Sequence, residues 1–370
     1  MLDFSWSEHT LGNVLYCTVT YGLFIAVFYK RYVSYAHSQS TKTNLWLFLF
    51  SLVLLISACI DTDWFHYQDM VKSYDLTIGA YNYGEPIYGE IVRIVNRNYL
   101  CFRLVVWGLA FVLTCIAFRR FEVNINIAVF YLTAVFLITF NYARATLGMA
   151  SFFVGLSYLL KPCKGGFLVR LALIAFFFWA AYEFHHSMLV LLFLAPVVVI
   201  LPLDKPYILL IVLFALPFLA SLIGDSFFLV DQLENEYLSD KFNRNLEREG
   251  IQANIFGIIQ SIINYGVFVI PLFFDTIALS RNRRLVSATI LKLYRVTISL
   301  VIFALSFLFL RLNSALFIYR ILYMSFIPLT IISVYLYEQQ FMNRLRYKVI
   351  IWWGVLAISF SLLHLIYVNM

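Results

Sequence analysis

Long runs of apolar residues with almost no charge recur along this chain, and they constrain its fold more than any other feature. A helix that crosses a bilayer needs about 20 mostly apolar residues, and about twelve runs approach that length. Hydrophobic residues make up 62% of the chain and charged residues 13%, with a mean hydropathy of +0.84, which is far more apolar than a soluble domain. The sequence therefore predicts an all-α, polytopic integral membrane protein with a single membrane domain over residues 1–370. The predicted runs lie at about 11–29, 45–60, 99–118, 127–140, 145–160, 167–182, 188–201, 207–223, 256–274, 296–310, 316–337 and 349–368.

Lysine and arginine are distributed unevenly between the two sets of alternate connections. One set holds 17 of the 27 basic residues but only four of the 20 acids. This set consists of 30–44, 118–126, 161–170, 202–206, 275–295 and 338–348. Because cytoplasmic connections carry the excess of lysine and arginine, both termini are predicted to lie outside. The net charge of +7 then reflects topology rather than a nucleic-acid partner.

Two long connections, 61–98 and 224–255, fall on the outer side and are predicted to form a cap or vestibule. The end of the first predicts a helix at the membrane surface, because Pro86 suits a first helical turn. The apolar face of this helix would hold Ile87, Ile91, Ile94 and Val95. Its polar face would hold Glu90, Arg93 and Arg97. Such a helix either closes on the bundle as a lid or binds lipid.

The segment AAYEFHHSMLVLL (180–192) places Glu183, His185 and His186 at a tight outer turn between two apolar runs. Ionisable groups at membrane depth are costly, and they usually face a polar cavity or a partner. The histidines are adjacent rather than four positions apart, so no metal site is predicted. Adjacent helical residues point about 100° apart, so both cannot face a cavity equally. A hydrated turn between two helices is the alternative interpretation.

Three arginines fall in or beside apolar runs on the same predicted side as the histidines. Arg144 follows a very short outer turn, Arg311 lies near the start of a late run, and Arg320 lies deeper within it. Gly148 and Gly155 follow Arg144, and small residues permit close packing of helices. Guanidinium groups bind phosphate oxygens through two parallel hydrogen bonds. A cluster of them below the outer surface therefore suits a lipid-linked diphosphate, with a histidine or an acid as base.

Other sequence features leave little room for a cofactor. The five cysteines are scattered and odd in number, which argues against a disulfide framework or a zinc site. The chain contains no glycine-rich phosphate loop, and its first residues lack the basic region of a cleavable signal peptide. No cofactor and no metal are predicted.

Ordered motifs across most of the chain resemble those of the EpsG-type group of Wzy polysaccharide polymerases. The similar segments are DTDWFHY (61–67, matching at Thr62, Asp63 and Tyr67), YGEPIYGEIVRIV (83–95, with its Glu85-Pro86 pair), YARATLGMASFFVGLSYLL (142–160), FHHS (184–187, matching at Phe184, His185 and Ser187) and YRILYMSFIPL (319–329). The chain departs from the family pattern at three positions. Asp61 stands where glycine is usual, Ala145 where glutamine is common, and Met188 where alanine is common.

The resemblance implies a reaction and a set of site residues. An undecaprenyl-diphosphate-linked glycan would be transferred to the non-reducing sugar of another lipid-linked repeat unit. His185 or Asp63 would take the acceptor proton, and Arg144 and Arg320 would stabilise the leaving diphosphate without a metal. The candidate substrate-binding residues are Tyr67, Glu85, Arg93, Arg97, His186 and Arg311.

The resemblance also implies partners and a location. The partners would be an undecaprenyl-diphosphate-linked oligosaccharide, membrane lipid and, as a further candidate, a chain-length regulator. The location would be the bacterial inner membrane, with the site facing the periplasm.

The sequence suggests three rival classes, of which the first two remain open. A transporter or flippase would use similar buried arginines and acids, with repeat symmetry or broken helices. A polyprenyl-monophosphate-sugar transferase would use an early outer acidic pair, which Asp61 and Asp63 would supply, and a metal requirement would identify it. A membrane O-acyltransferase conflicts with the charge distribution, because its histidine and arginine are commonly cytoplasmic.

Overall fold

The computed structural model describes residues 11–34, 49–54, 68, 71–73, 86–140, 142–161, 165–192, 255–309 and 321–368. The main elements in this part of the chain are helices. They are α1 (Leu11–Tyr29, continued by a π-helical turn over Lys30–Ser34), α2 (Pro86–Ile94), α3 (Tyr99–Arg120), α4 (Ile125–Phe140), α5 (Ala143–Leu160), α6 (Gly166–Phe184), α7 (Ile255–Asn282), α8 (Ala288–Phe309), α9 (Phe326–Glu338) and α10 (Arg344–Val368).

Several of these helices are long and apolar enough to cross a membrane. Among the described residues, five segments meet that description: Tyr99–Arg120, Gly166–Phe184, Ile262–Asn282, Ile321–Glu338 and Arg344–Leu363. The shorter helices Ile125–Phe140 and Arg144–Leu160 are also apolar. The prediction of an all-helical, multi-pass membrane protein is confirmed. The count of about twelve spans is not confirmed, and the run at 207–223 and the outer loop up to position 254 lie outside the described residues.

Helices α4 and α9 lie at the centre of the bundle, because almost all of their side chains are buried. A helix that is apolar on every face lies either in a protein core or in lipid, and the burial of these two places them among the other helices. Around them, α4 contacts α3, α9 and α10, while α9 also contacts α5, α7 and α8. Gly354 lets α10 approach α4 closely, since a Cβ there would lie 2.5 Å from the Cα of Val135. On one flank of this centre, α5 packs between α3 and α6.

Three connections that the basic residues predict on one side meet at one end of the bundle. The backbone N–H of Asn124 donates to both carboxylate oxygens of Glu338, at 3.1 and 3.2 Å. The hydroxyl of Tyr337 donates to the carbonyl of Val33 at 2.7 Å. We call this the inner end and the opposite one the outer end, following the predicted topology.

One inner connection is shorter than the sequence indicates. The segment 275–295 was expected to connect two runs, but α7 continues to Asn282 and α8 begins at Ala288. Asp275 is therefore a helical residue, and it is fully buried. The helix tolerates this acid because the hydroxyl of Ser333 donates to both of its carboxyl oxygens, at 2.9 and 3.1 Å. The hydroxyl of Tyr131 donates in turn to Ser333 at 3.1 Å, which joins α4, α7 and α9.

Candidate functional site

The close packing of α5 against α6 brings the arginine-led turn and the histidine turn together at the outer end. Gly148 lies one helical turn after Arg144, and a Cβ added there would lie 3.2 Å from the Cβ of His185. The same added atom would lie 3.1 Å from the carbonyl oxygen of Ala181 and 3.0 Å from Cγ of Met188. The close approach predicted for Gly148 is confirmed, and it places His185 beside the first turns of α5. Arg144 itself is half-buried.

The two adjacent histidines have different surroundings. His185 ends α6 with an extended backbone, and its N–H donates to the carbonyls of Ala181 and Tyr182, both at 3.1 Å. It is half-buried against α5. His186 is exposed, and its ring stacks on that of Tyr182 with centroids 4.7 Å apart. His185 is thus the member of the pair that lies between helices.

Helix α2 packs on the bundle beside the histidine turn. Tyr88 is fully buried, and its hydroxyl donates to the carbonyl of Phe184 at 2.9 Å. Val92, one turn later, is also fully buried. Ile94 of the predicted apolar face is 78% exposed, so the face that packs on the bundle is offset from the predicted one. The hydrogen bond from Tyr88 explains the difference, because it turns the face centred on Tyr88 and Val92 toward the bundle.

The polar residues of α2 and of the turn after it remain at the surface. Arg93 and Glu90 form an exposed ion pair with a shortest distance of 2.6 Å. Asn96 and Arg97 both adopt a left-handed backbone, with φ of 49° and 59°. Arg97 is exposed. The helix was predicted either to close on the bundle as a lid or to bind lipid, and this arrangement matches the lid. Arg93 and Arg97 lie on its outer side.

A buried arginine near the start of α3 was missed by the sequence analysis. Arg103 is fully buried, although it lies only one turn beyond Tyr99. Its Nη1 donates to the hydroxyl of Tyr99 at 3.3 Å, and its guanidinium carbon lies 4.2 Å from the ring centroid of Trp107. Aromatic faces attract guanidinium groups, so the two rings hold this cation at the outer end. The available sequence signal was an arginine with aromatic residues four positions before and after it.

Arg103 is level with Arg144 along the bundle. At the inner end, Arg120 of α3 donates to Ser157 and to the carbonyl of Lys161, which lie 37 and 41 positions further along the chain. Helices α3 and α5 run parallel with the same rise per residue. The residues at the same height as Arg103 are therefore 37 to 41 positions further along the chain, at positions 140 to 144. Two arginines and His185 therefore occupy the outer end of the cluster formed by α3, α5 and α6.

The start of α5 also contacts the segment before α9. The rings of Tyr142 and Tyr323 lie 4.6 Å apart, and Tyr323 packs against Phe268 of α7 at 6.1 Å. Tyr323 follows Arg320 by three positions in the chain. The remaining predicted site residues lie outside the described residues: Asp63, Tyr67, Glu85, Arg311 and Arg320.

Within the described residues, no three histidine, cysteine, aspartate or glutamate side chains are grouped so as to hold a metal ion. Arg103 and Arg144 lie at the same end of the bundle as His185, and guanidinium groups bind anionic ligands. The arrangement combines an imidazole, which can take a proton near neutral pH, with guanidinium groups that can bind a phosphate.

An all-helical, multi-pass membrane protein with histidine and arginine gathered at one end is the class that this fold and site define. A model of the EpsG family matches residues 43–370, and the chain belongs to that family. The family is associated with polysaccharide polymerases, so the resemblance drawn from the motifs is confirmed. The chain has no significant match among curated proteins or among solved structures.

Proposed function

We propose that this protein is a glycosyltransferase that polymerises polysaccharide from undecaprenyl-diphosphate-linked repeat units at the outer face of the bacterial cytoplasmic membrane. Membership of the EpsG family supports the reaction class. The single observation that carries the assignment of the site is the approach of His185 to Gly148, one turn from Arg144. This approach supports a site in which His185 accepts a proton and Arg144 binds phosphate.

In the proposed reaction, the acceptor hydroxyl oxygen bonds to the anomeric carbon of the donor glycan. The bond from that carbon to the diphosphate oxygen breaks, and its electron pair leaves with undecaprenyl diphosphate. His185 takes the hydroxyl proton, since a base works best with a pKa near the working pH. Asp63 is the alternative base.

Arg144, Arg320 and Arg103 stabilise the charge on the departing diphosphate. Preorganised cations in a site that excludes water contribute more than they do in solution. Because the diphosphate leaves as a stabilised anion, the guanidinium groups suffice and we propose a metal-independent reaction. Tyr67, Glu85, Arg93, Arg97, His186 and Arg311 are proposed to bind the glycan or the lipid-linked substrate. A chain-length regulator is a proposed partner.

The decisive experiment is the extension of a lipid-linked repeat unit by the purified protein, with and without a chelator. We expect polymer under both conditions. Arg144→Lys and Arg320→Lys keep the charge but lose the planar fork, so both should reduce polymer formation sharply at normal protein level. Arg346→Lys at the inner end is the matched control, and it should behave as the parent protein does.

Other outcomes identify the rival classes. Movement of the lipid-linked unit across a vesicle membrane without extension would identify a transporter. Extension that needs a metal and a monophosphate-linked sugar would identify the other transferase class. Full polymerisation by both lysine variants would remove these arginines from the site.

A further inference from the structure

A basic cleft lies at the inner end of the bundle, at the opposite end from His185. It has a volume of about 410 Å³ and lies between the end of α3 and the end of α5. Its lining residues are Ile116, Arg119, Arg120, Glu122 and Lys161. Three cations and one carboxylate therefore face a single space, and the proposed polymerase reaction uses none of them.

Arg120 is held in place at the base of this cleft. Its Nε and Nη2 donate to Ser157, and Nη2 also reaches the carbonyl of Lys161. Its guanidinium carbon lies 4.2 Å from the ring centroid of Tyr158. These contacts leave Nη1 without a hydrogen bond to any described residue. The cation is thus preorganised with one donor still available.

The single acid of the cleft does not block it. Glu122 pairs with Lys161 at 3.0 Å, but its side chain is 79% exposed. Only the Lys161 side chain, 20% exposed, is held within the cleft, so an anion can replace the exposed carboxylate beside it. Arg119 is exposed, and its guanidinium makes no hydrogen bond with a described residue. The cleft can therefore surround one phosphate with three positive charges.

An exposed apolar stripe on α3 leads directly to the cleft. Val105, Leu109, Val112 and Ile116 recur at helical spacing, and each is 37% to 46% exposed. At about 1.5 Å per residue the stripe is about 16 Å long. That is about half of the roughly 30 Å hydrocarbon thickness of a bilayer, so the stripe has the length of one leaflet.

We propose that this cleft and stripe form a binding site for an anionic phospholipid of the cytoplasmic leaflet. The phosphate lies among Arg119, Arg120 and Lys161, and one acyl chain follows the apolar stripe. Basic pockets at the cytoplasmic ends of membrane helices bind anionic headgroups in this way. The charge of the cleft selects an anionic lipid over a zwitterionic one, and the stripe selects a lipid over free phosphate.

Native mass spectrometry of the purified full-length protein tests the site with added phosphatidylglycerol or phosphatidylcholine. We expect retained phosphatidylglycerol in excess of phosphatidylcholine. Each removed charge should weaken retention roughly 5-fold, so Arg119→Gln combined with Lys161→Gln should weaken it about 25-fold. The control is Arg346→Gln, which removes a charge at the same end but outside the cleft. Arg120 is left intact because its contacts join α3 to α5.

A second variant distinguishes binding of a whole lipid from binding of a phosphate group alone. Val112→Asn should weaken retention of phosphatidylglycerol while the monodispersity of the protein stays unchanged, because only the acyl-chain stripe is altered. Equal retention of the two lipids, or a double variant that retains phosphatidylglycerol as the control does, would overturn the proposal. Displacement of phosphatidylglycerol by millimolar inorganic phosphate, with no effect of Val112→Asn, would make the cleft an anion site rather than a lipid site.

Discussion

The outer and inner ends of this bundle hold polar side chains in different ways. Toward the inner end, Tyr131, Ser333 and Asp275 form a chain of hydrogen bonds across three helices. At the outer end, Arg103 lies against aromatic rings and His185 lies against a glycine. In the first region hydrogen bonds join three helices, and in the second Arg103 lies against two aromatic rings, with a hydrogen bond to Tyr99, while His185 lies at a close contact between helices.

The two arrangements serve different purposes. A hydrogen bond between membrane helices contributes about 0.6 kcal/mol on average, so the inner network acts as a modest link between α4, α7 and α9. Arg103 and His185 are basic groups that the proposed reaction uses, whereas the inner network consists of hydroxyl and carboxyl groups that bind to one another. The difference indicates that outer-end substitutions should change activity, whereas inner-end substitutions should change stability.

The largest expected effect is that of His185→Ala. If His185 takes the acceptor proton, polymer formation should fall by about 10²-fold or more. The side chain is half-buried at the end of α6, so the protein should still accumulate in the membrane. The measurement is polymer formed per unit of purified protein.

His186→Ala is the matched control for this change. His186 is exposed and stacks on Tyr182 of its own helix, so its loss should reduce polymer formation much less. If His185→Ala retains full activity, or loses it only because the protein disappears, His185 is not the base. Asp63 then becomes the leading candidate.

Sequence patterns predicted the local features of the outer end and missed its long-range features. The helix that begins at Pro86 and the close approach at Gly148 both follow from local residue types. Arg103 was missed because a single arginine near the end of an apolar run usually extends to the interface. Its burial depends on how α3 packs in the bundle, which the local pattern does not contain.

The inner network shows the same limit. The sequence predicts Asp275 in a connection, because the apolar run at 256–274 ends just before it. Its hydroxyl partner, Ser333, lies 58 positions away in the chain, so no local pattern could reveal the pair. The orientation of α2 also differs from the predicted one, because it depends on the hydrogen bond of Tyr88, which joins residues 96 positions apart.

Arg103→Lys should have the next largest effect on activity. Lysine keeps the positive charge but cannot form the fork or stack on Trp107 in the same way. We expect a loss on the order of 10-fold, below the 10²-fold or more that removal of an oxyanion donor costs. Polymer formation per folded protein is the measurement. Unchanged activity would show that Arg103 only supports packing, and the outer end would then resemble the inner one.

Gly148→Ala tests whether packing sets the position of His185. The new methyl group would lie 3.0 to 3.2 Å from Met188, Ala181 and His185, so α6 must shift by a few tenths of an ångström. We expect activity to fall about 5-fold, because small displacements of a catalytic group are costly. Gly108→Ala in α3 is the control, since nothing lies within 4 Å of its added atom. Equal activity of the two variants would contradict the positioning role.

Ser333→Ala, at the inner end, should have the smallest effect on activity. The substitution removes the hydroxyl that joins Tyr131 to Asp275, and the loss of stability should be about 1 kcal/mol, within the range of interhelical hydrogen bonds in membranes. Thermal unfolding in detergent measures that loss, with Ser280→Ala as control because Ser280 is exposed and bonds only within α7. Activity per folded protein should stay at the parent level, since the network lies at the opposite end from His185. A loss of activity comparable to that of His185→Ala would mean that the network takes part in the reaction, and the contrast between the two ends would fail.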